Sequence, residues 1–313
     1  MSVPNQLAHR QLLDLEQAYL FTPLRGGMTN QAFLLEQAGV KRTVKVYDLR
    51  HDTDNPMYPN LPEVEALTLT KLSGLKLAPS LLGQWQTRDE QRSTTTAVLV
   101  YEYIEGHAWR SGTAAVARLL SALHDTDVLG ASTWLRKLPC SAQAVCEHGD
   151  RMLQAHALSK YTQSDVLAKP MTLEQLQALR PSQPNTQLIS DLSFVHGDCW
   201  GGNIIQNEKA LTLIDWQCPG LGDAAEDIAN FLSPGMMSFC RETPLSETEK
   251  QAFFDAYEDQ TVIKRYKRDA ASWHWRLACY YYYRQQVLSQ SNPALADGYA
   301  LALAHEVSLL QTL

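Results

Sequence analysis

The stretch "FVHGDCWGGNIIQNEKALTLIDWQ", Phe194 to Gln217, decides the reading of the whole chain. It sets one histidine, two isolated aspartates and an asparagine among apolar runs and glycines. Ile204 and Ile205, the polar Asn207–Lys209, then Leu211, Leu213 and Ile214 read as a hairpin. A hairpin returns its two ends to one edge, so Asn203 at its start and Asp215 at its end are expected side by side. Asp198 lies five positions before Asn203, across "CWGG". The glycines Gly201 and Gly202 are expected to let the backbone bend sharply enough to aim Asp198 and Asn203 at one point.

An aspartate exposed in such a loop is ionised at neutral pH. It can take a proton from a hydroxyl or orient that hydroxyl. An amide oxygen beside a carboxylate is a usual protein share of a magnesium site, with phosphates and water supplying the rest. Asn203 and Asp215 are therefore the expected Mg²⁺ ligands, with Asp198 the base. An Asp base, an Asn five residues on and a second Asp on magnesium form the arrangement that carries phosphoryl transfer. One at a time, the same residues are a capping Asp, a turn Asn and a strand-end Asp, each common for local backbone bonding. The H-x-D-x-x-x-x-N spacing alone is a weak signal; the apolar-flanked Asp215 at the right distance sharpens it.

The first hundred residues hold a matching set for a nucleotide. "PLRGGMTNQAFLL" puts Gly26 and Gly27 in a turn just before a strand, where backbone N–H groups can approach phosphates. "TVKVYD" places Lys45 mid-strand among Val44, Val46 and Tyr47, a costly position unless its ammonium has a partner. Phosphates would supply one partner and Glu65 of the helical "EVEALTLTKL" another, whereas Glu63, two residues away, faces elsewhere. The competing reading of Lys45 is an edge-strand lysine facing solvent. "VLVYEYIEG" reads as a strand that ends in a connector, leaving backbone groups at Glu102 and Ile104 to pair with an adenine edge.

The order of "GGMTN", Lys45, Glu65, "YEYIEG", "HGDCWGGN", "LIDW" and "GLGDAAEDIANFL" resembles the aminoglycoside phosphotransferase and choline kinase family over nearly the whole chain. The resemblance implies an α+β, bilobal protein-kinase-like fold and transfer of a phosphoryl group from Mg-ATP to a small-molecule hydroxyl. It implies Asp198 as catalytic base, Asn203 and Asp215 as metal ligands, and Lys45 with Glu65 as the phosphate lysine and its partner. It implies Gly26, Gly27 and Thr29 as the nucleotide loop, and Glu102 and Ile104 as the adenine contacts. Asp227 resembles a buried aspartate that supports the catalytic loop, and His196 a structural residue of that loop. "IDWQ" stands where protein kinases carry D-F-G, and no A-P-E follows, which weighs against a protein substrate. The "GGMTN" loop looks closer to the choline and thiamine kinase branch than to the antibiotic-resistance enzymes.

The expected organisation is a β-rich N-terminal lobe, residues 1–105, that binds nucleotide, and a mostly helical lobe, residues 106–313, that carries catalysis and acceptor. "AFLLEQ" and "RTVKVYDL" read as strands around a turn "AGVK", and everything beyond Leu245 reads as helix. "SWHWRLACYYYYRQQ" is a dense aromatic patch, readable as core or as a wall for a cationic acceptor. Trp273 and Tyr280 from this patch, with Trp200 of the catalytic loop, are the candidate acceptor contacts. The acceptor class expected is an amino alcohol such as choline, ethanolamine or thiamine, with an aminoglycoside or other sugar as the alternative. A catalytically inactive binding module of the same fold is the alternative of another class. The net charge of -7 argues against a general nucleic-acid binder. The six cysteines form no C-x-x-C pair and read as incidental thiols of a reduced, cytoplasmic protein. No signal peptide is expected at the N-terminus, and no apolar run reaches the roughly 18 residues of a membrane span.

Overall fold

The computed structural model describes residues 2–24, 29–48, 55–89, 94–128, 130–154 and 171–313. The chain divides into two compact units, Met1–Gly106 and His107–Leu313.

The N-terminal unit is built on a five-stranded antiparallel sheet. Helix α1 (Val3–His9) precedes strands β1 (Tyr19–Pro23), β2 (Gln31–Gln37) and β3 (Val40–Asp48). Helix α2 (Pro62–Lys71) then leads to β4 (Leu81–Asp89) and β5 (Thr94–Glu102). The strand order β1-β2-β3-β5-β4 makes β3 an interior strand, which rules out the edge-strand reading of Lys45. Alternation along β3 sends successive side chains to opposite faces. Val44 and Val46 join the cluster of Leu7, Leu13, Leu35, Trp85, Val98 and Val100 that seats α1. Lys45 and Tyr47 face the other way and meet Glu65 of α2. Helix α2 starts on Pro62, whose missing N–H is no loss at the first helical position.

The turn between β2 and β3 is tighter than the four residues expected. Gln37 pairs with Val40, leaving only Ala38 and Gly39, both at positive φ (50° and 75°). That backbone is the two-residue hairpin turn whose twist matches the strands. Elements α1, β1 and β4 were not expected from the sequence; β4 carries one buried aromatic, Trp85, between Gln84 and Gln86.

The C-terminal unit opens with β6 (His107–Ala108), α3 (Thr113–His124), α4 (Ala131–Trp134), β7 (Arg136–Lys137), α5 (Ala142–Gln154) and α6 (Leu173–Gln177). The decisive stretch supplies β8 (Ser193–Val195), β9 (Ile204–Gln206) and β10 (Leu211–Leu213), followed by β11 (Gly220–Gly222). Two small sheets result, β10-β9-β6 and β7-β11-β8. Helices α7 (Ala225–Leu232), α8 (Pro234–Met237), α9 (Glu247–Ala256), α10 (Gln260–Leu288) and α11 (Pro293–Leu310) complete it. Helix α10 packs on α11, α5 and α7, and every residue from Ser272 to Tyr281 is buried. A helix buried on all sides belongs inside a bundle. No helix among the described residues is long and apolar enough to cross a membrane.

Candidate active site

The expected hairpin forms. Gln206 pairs with Leu211 and Ile204 with Leu213. Asn207 closes the turn: its N–H reaches the Ala210 carbonyl at 3.1 Å, and its side-chain oxygen accepts from Lys209 and Ala210. At the open end the Ile214 N–H donates to the Asn203 carbonyl at 2.9 Å. This places Asn203 and Asp215 at the same edge. Asp215 is half-buried and sits at φ 65°, a left-handed conformation that aspartate tolerates better than most residues.

Asn203 Nδ2 donates to both the backbone carbonyl (2.9 Å) and Oδ2 (3.0 Å) of Asp198. The amide nitrogen is thereby committed to Asp198, and Oδ1 is the atom that can serve a cation. Hard oxygen donors of this kind suit Mg²⁺. Asn203 and Asp215 thus fit the share of a magnesium site expected of them. Asp198 is only 9% exposed, so the expectation of an open loop aspartate is corrected: it is largely buried, with a carboxylate oxygen engaged by Asn203.

Gly201 and Gly202 do not serve as the sharply bending joints expected of them. Neither Gly201 nor Gly202 has a positive φ. Their requirement is space: a Cβ on Gly201 would lie 2.9 Å from Cys240 Sγ, and one on Gly202 would lie 2.2 Å from the Trp200 ring. The residue that needs glycine's conformational freedom is Gly197, at φ 79°, where a Cβ would come within 2.3 Å of the Cys218 carbonyl.

What holds the loop is a set of buried polar side chains. Asp227 on α7 is fully buried and accepts from the backbone N–H groups of His196 (2.7 Å) and Gly197 (2.8 Å). His124 Nε2 lies 3.1 Å from the same carboxylate, and its Nδ1 lies 2.7 Å from the Tyr257 hydroxyl. Burial alone would push the Asp227 carboxyl up; the His124 hydrogen bond and charge, with the His196 contacts, outweigh it and hold it below the usual range. Asn230, one turn further along α7, donates to the Gly197 carbonyl at 3.2 Å. His196 Nδ1 accepts from the Asp198 N–H at 3.2 Å, so its Nε2 carries the proton given to the Ile214 carbonyl at 3.0 Å. The His196 ring therefore ties the Asp198 loop to the residue before Asp215. Trp216 packs against that ring (4.4 Å between centroids) and stacks on Phe194.

In the N-terminal unit, Lys45 is 4% exposed and donates to Glu65 Oε2 at 2.7 Å. Tyr47 donates its hydroxyl to the same oxygen. Glu63 instead faces outward and accepts from Gln86, as the choice of Glu65 required. Gly26 and Gly27 lie outside the described residues. Thr29 is half-buried beside Asn30, whose amide exchanges two hydrogen bonds with Asn60 (2.8 and 3.0 Å). Of the connector groups, the Glu102 N–H is not open: it donates to the Ser80 carbonyl at 2.9 Å. Ile104 is half-buried in an irregular segment after β5.

Two acceptor candidates fall in the core. Trp273 is 2% and Tyr280 3% exposed, because α10 is covered by neighbouring helices. Trp200 is half-buried and meets Phe239 edge-on at 6.4 Å, and Phe239 meets Tyr299 at 5.2 Å. Tyr299 is near enough to Asp198 to feel its charge, although burial is the main cause that raises its hydroxyl pKa. Trp200 therefore begins an aromatic chain beside Asp198, and Tyr280 touches that chain from the core side at 6.0 Å from Tyr299.

Sequence reasoning missed Tyr47, His124, Asn230 and Tyr257. Tyr47 was legible as the second residue after Lys45 on one strand face, and Asn230 as one helical turn past Asp227. His124 and Tyr257 come from distant segments and leave no local signal.

A family model described as the phosphotransferase enzyme family matches residues 21–271. A thiamine kinase of Escherichia coli is 25% identical over 231 residues, which cover 72% of this chain and 71% of that protein. An ethanolamine kinase of Plasmodium vivax superposes with a TM-score of 0.62 at 14% identity, covering 100% of this chain and 85% of that one. A spectinomycin phosphotransferase, solved with ADP and spectinomycin, gives 0.60 at 15% identity over 99% of this chain and 98% of its own. At these identities the solved structures establish fold, and it is the α+β protein-kinase-like fold expected from the sequence.

Proposed function

The chain belongs to the phosphotransferase enzyme family, and on that footing we propose that it moves the γ-phosphoryl group of Mg-ATP to a hydroxyl of a small amino alcohol of choline, ethanolamine or thiamine type. The observation that carries the reading is the joined geometry of Asp198, Asn203 and Asp215: an amide nitrogen bonded to the first carboxylate, and a hairpin that delivers the second. The thiamine kinase likeness supports the acceptor class, and the ADP held by the spectinomycin enzyme supports ATP as donor.

In this reading Asp198 orients the acceptor hydroxyl and takes its proton as the oxygen–phosphorus bond forms. Asn203 fixes the Asp198 carboxylate through Nδ2 and offers Oδ1, with the Asp215 carboxylate, to the metal. The metal supplies charge neutralisation on the phosphates when bound. Lys45, hydrogen-bonded to Glu65, holds the phosphates. Asp227 and His196 keep the loop in place before substrate arrives, so catalysis rests on positioning and preset electrostatics. Trp200 and the aromatic chain behind it give a face on which a cationic or flat acceptor can lie, at about 0.5–2 kcal/mol per cation–π contact.

The test has two arms. Purified protein with Mg-ATP is screened for ADP release across amino alcohols, thiamine, sugars and aminoglycosides. Asp198→Ala is then measured on the best acceptor. Transfer is expected with an amino alcohol or thiamine, and Asp198→Ala should abolish it while nucleotide binding persists. Turnover only with sugars or aminoglycosides would move the acceptor to that class. Undiminished transfer by Asp198→Ala would reject the role of Asp198, and nucleotide binding without turnover on any acceptor would favour a binding module.

A further inference from the structure

We propose that Tyr47 is a positioning residue of the phosphate lysine: its hydroxyl holds Glu65 so that the Lys45 ammonium can be shared with a bound phosphate. This rests on the phosphotransferase reading above.

The three side chains form one buried unit. Lys45, Tyr47 and Glu65 are 4%, 0% and 1% exposed. Two donors converge on a single atom, Glu65 Oε2: the Lys45 ammonium at 2.7 Å and the Tyr47 hydroxyl. The ammonium also lies 4.8 Å from the centre of the Tyr47 ring. Their placement follows from strand geometry, since positions 45 and 47 share one face of β3.

Consider Glu65 without the Tyr47 hydroxyl. A buried carboxylate resists giving up a charged partner, because its charge is then less compensated in a dry interior. A phosphate would then compete for Lys45 against that penalty. A second, neutral donor on the same oxygen changes the balance. Tyr47 keeps Glu65 hydrogen-bonded while the ammonium is drawn toward phosphate, and a tyrosine brings no competing positive charge. The ring beside the ammonium offers a further resting surface of favourable electrostatics. A tyrosine that only filled space would be replaced by phenylalanine without consequence for nucleotide binding, because the ring and the cation–π face would remain.

That difference defines the experiment. Tyr47→Phe is compared with wild type by calorimetric titration with the non-hydrolysable analogue Mg-AMP-PNP and with adenosine, which has no phosphate for Lys45. Affinity for the analogue is expected to fall about tenfold, the size of one hydrogen bond to a charged group, with adenosine affinity unchanged. In a Glu65→Gln background the same substitution should have no further effect, because the two act through one carboxylate. Equal analogue affinity in wild type and Tyr47→Phe overturns the proposal, as does additivity with Glu65→Gln. A wild type that binds no adenine nucleotide overturns the phosphotransferase reading itself, and this proposal with it. Should Tyr47→Phe not fold, 3-fluorotyrosine placed at position 47 of the otherwise natural chain reports directly. Its fluorine resonance is expected to shift on saturation with Mg-AMP-PNP and not with adenosine; no shift with either overturns the proposal.

Discussion

Replacing Asp227 by asparagine tests the claim that a buried carboxylate holds the Asp198 loop. Asp227 accepts three hydrogen bonds: His196 N–H and His124 Nε2 on Oδ2, and Gly197 N–H on Oδ1. An amide offers one oxygen. Its better orientation puts oxygen toward His196 and His124 and turns the NH₂ group onto the Gly197 N–H. One buried N–H then loses its acceptor, at about 1–3 kcal/mol, and the two remaining bonds weaken because the acceptor is no longer ionised. The expected loss is about 3 kcal/mol at neutral pH, read from urea unfolding followed by far-UV circular dichroism. The pH dependence is a second signature. The folded carboxyl lies below its ordinary value of 3.8. Its stabilisation is therefore present above that ordinary value and is lost as pH falls through the lower folded one. The gap between wild type and Asp227→Asn should close on acidification. A gap under about 1 kcal/mol at neutral pH, or one that stays constant down to about pH 3, would refute the reasoning.

Three further outcomes follow from other parts of the structure. Gly197→Ala forces a Cβ to within 2.3 Å of the Cys218 carbonyl at a positive φ; the conformational term alone is about 1–2 kcal/mol, so the purified variant should melt at a clearly lower temperature and lose transfer. Ala38→Asn relieves a non-glycine residue at φ 50° in the two-residue turn and should raise stability by about 0.5–1 kcal/mol in the same urea assay, without altering activity. Burial pushes the half-buried Cys240 thiol up to about 11, so iodoacetamide at about pH 8 should alkylate it roughly two orders of magnitude more slowly than a free cysteine, as followed by peptide mass spectrometry.

Local patterns carried most of the site into view. The hairpin from Ile204 to Ile214 was readable because its apolar residues flank a polar turn, and a hairpin fixes where its ends meet. Lys45 was readable because an ammonium amid apolar neighbours demands a partner, and Glu65 lay one helix away. The errors arose where a local rule met a tertiary fact. Glycines 201 and 202 looked like flexible joints, yet the crowding that requires them comes from Cys240 and Trp200. Asp198 looked exposed because loop composition says nothing of what packs behind it. The aromatic run of α10 offered two readings until α5, α7 and α11 were seen to cover it. Strand β4 alternates in exposure, yet its less exposed positions after Leu81 are Gly83, Trp85 and Thr87, too few apolar side chains to register in the sequence.

The residues that hold the Asp198 loop share a role, and that role explains why α7 follows the hairpin so closely. Asp227 and Asn230 lie one turn apart on α7 and grip the two sides of the Gly197 backbone, one by accepting from its N–H, the other by donating to its carbonyl. His196 grips the opposite strand end through Ile214. The loop that carries Asp198 is thus fixed at its start by α7 and at its far end by the Asn203–Ile214 bond. Two anchored ends leave the short span between them little freedom, so its ordering entropy is met at folding and not at each binding event. A kinase that must abstract or orient a proton gains from that rigidity, because misplacement by about an ångström can cost two orders of magnitude in rate. Asp227, Asn230 and His196 hold the loop through hydrogen bonds to its backbone. Steady-state kinetics of substitutions at these three positions should therefore show kcat falling by a larger factor than KM rises, and a rise in KM at unchanged kcat would place them in substrate binding instead.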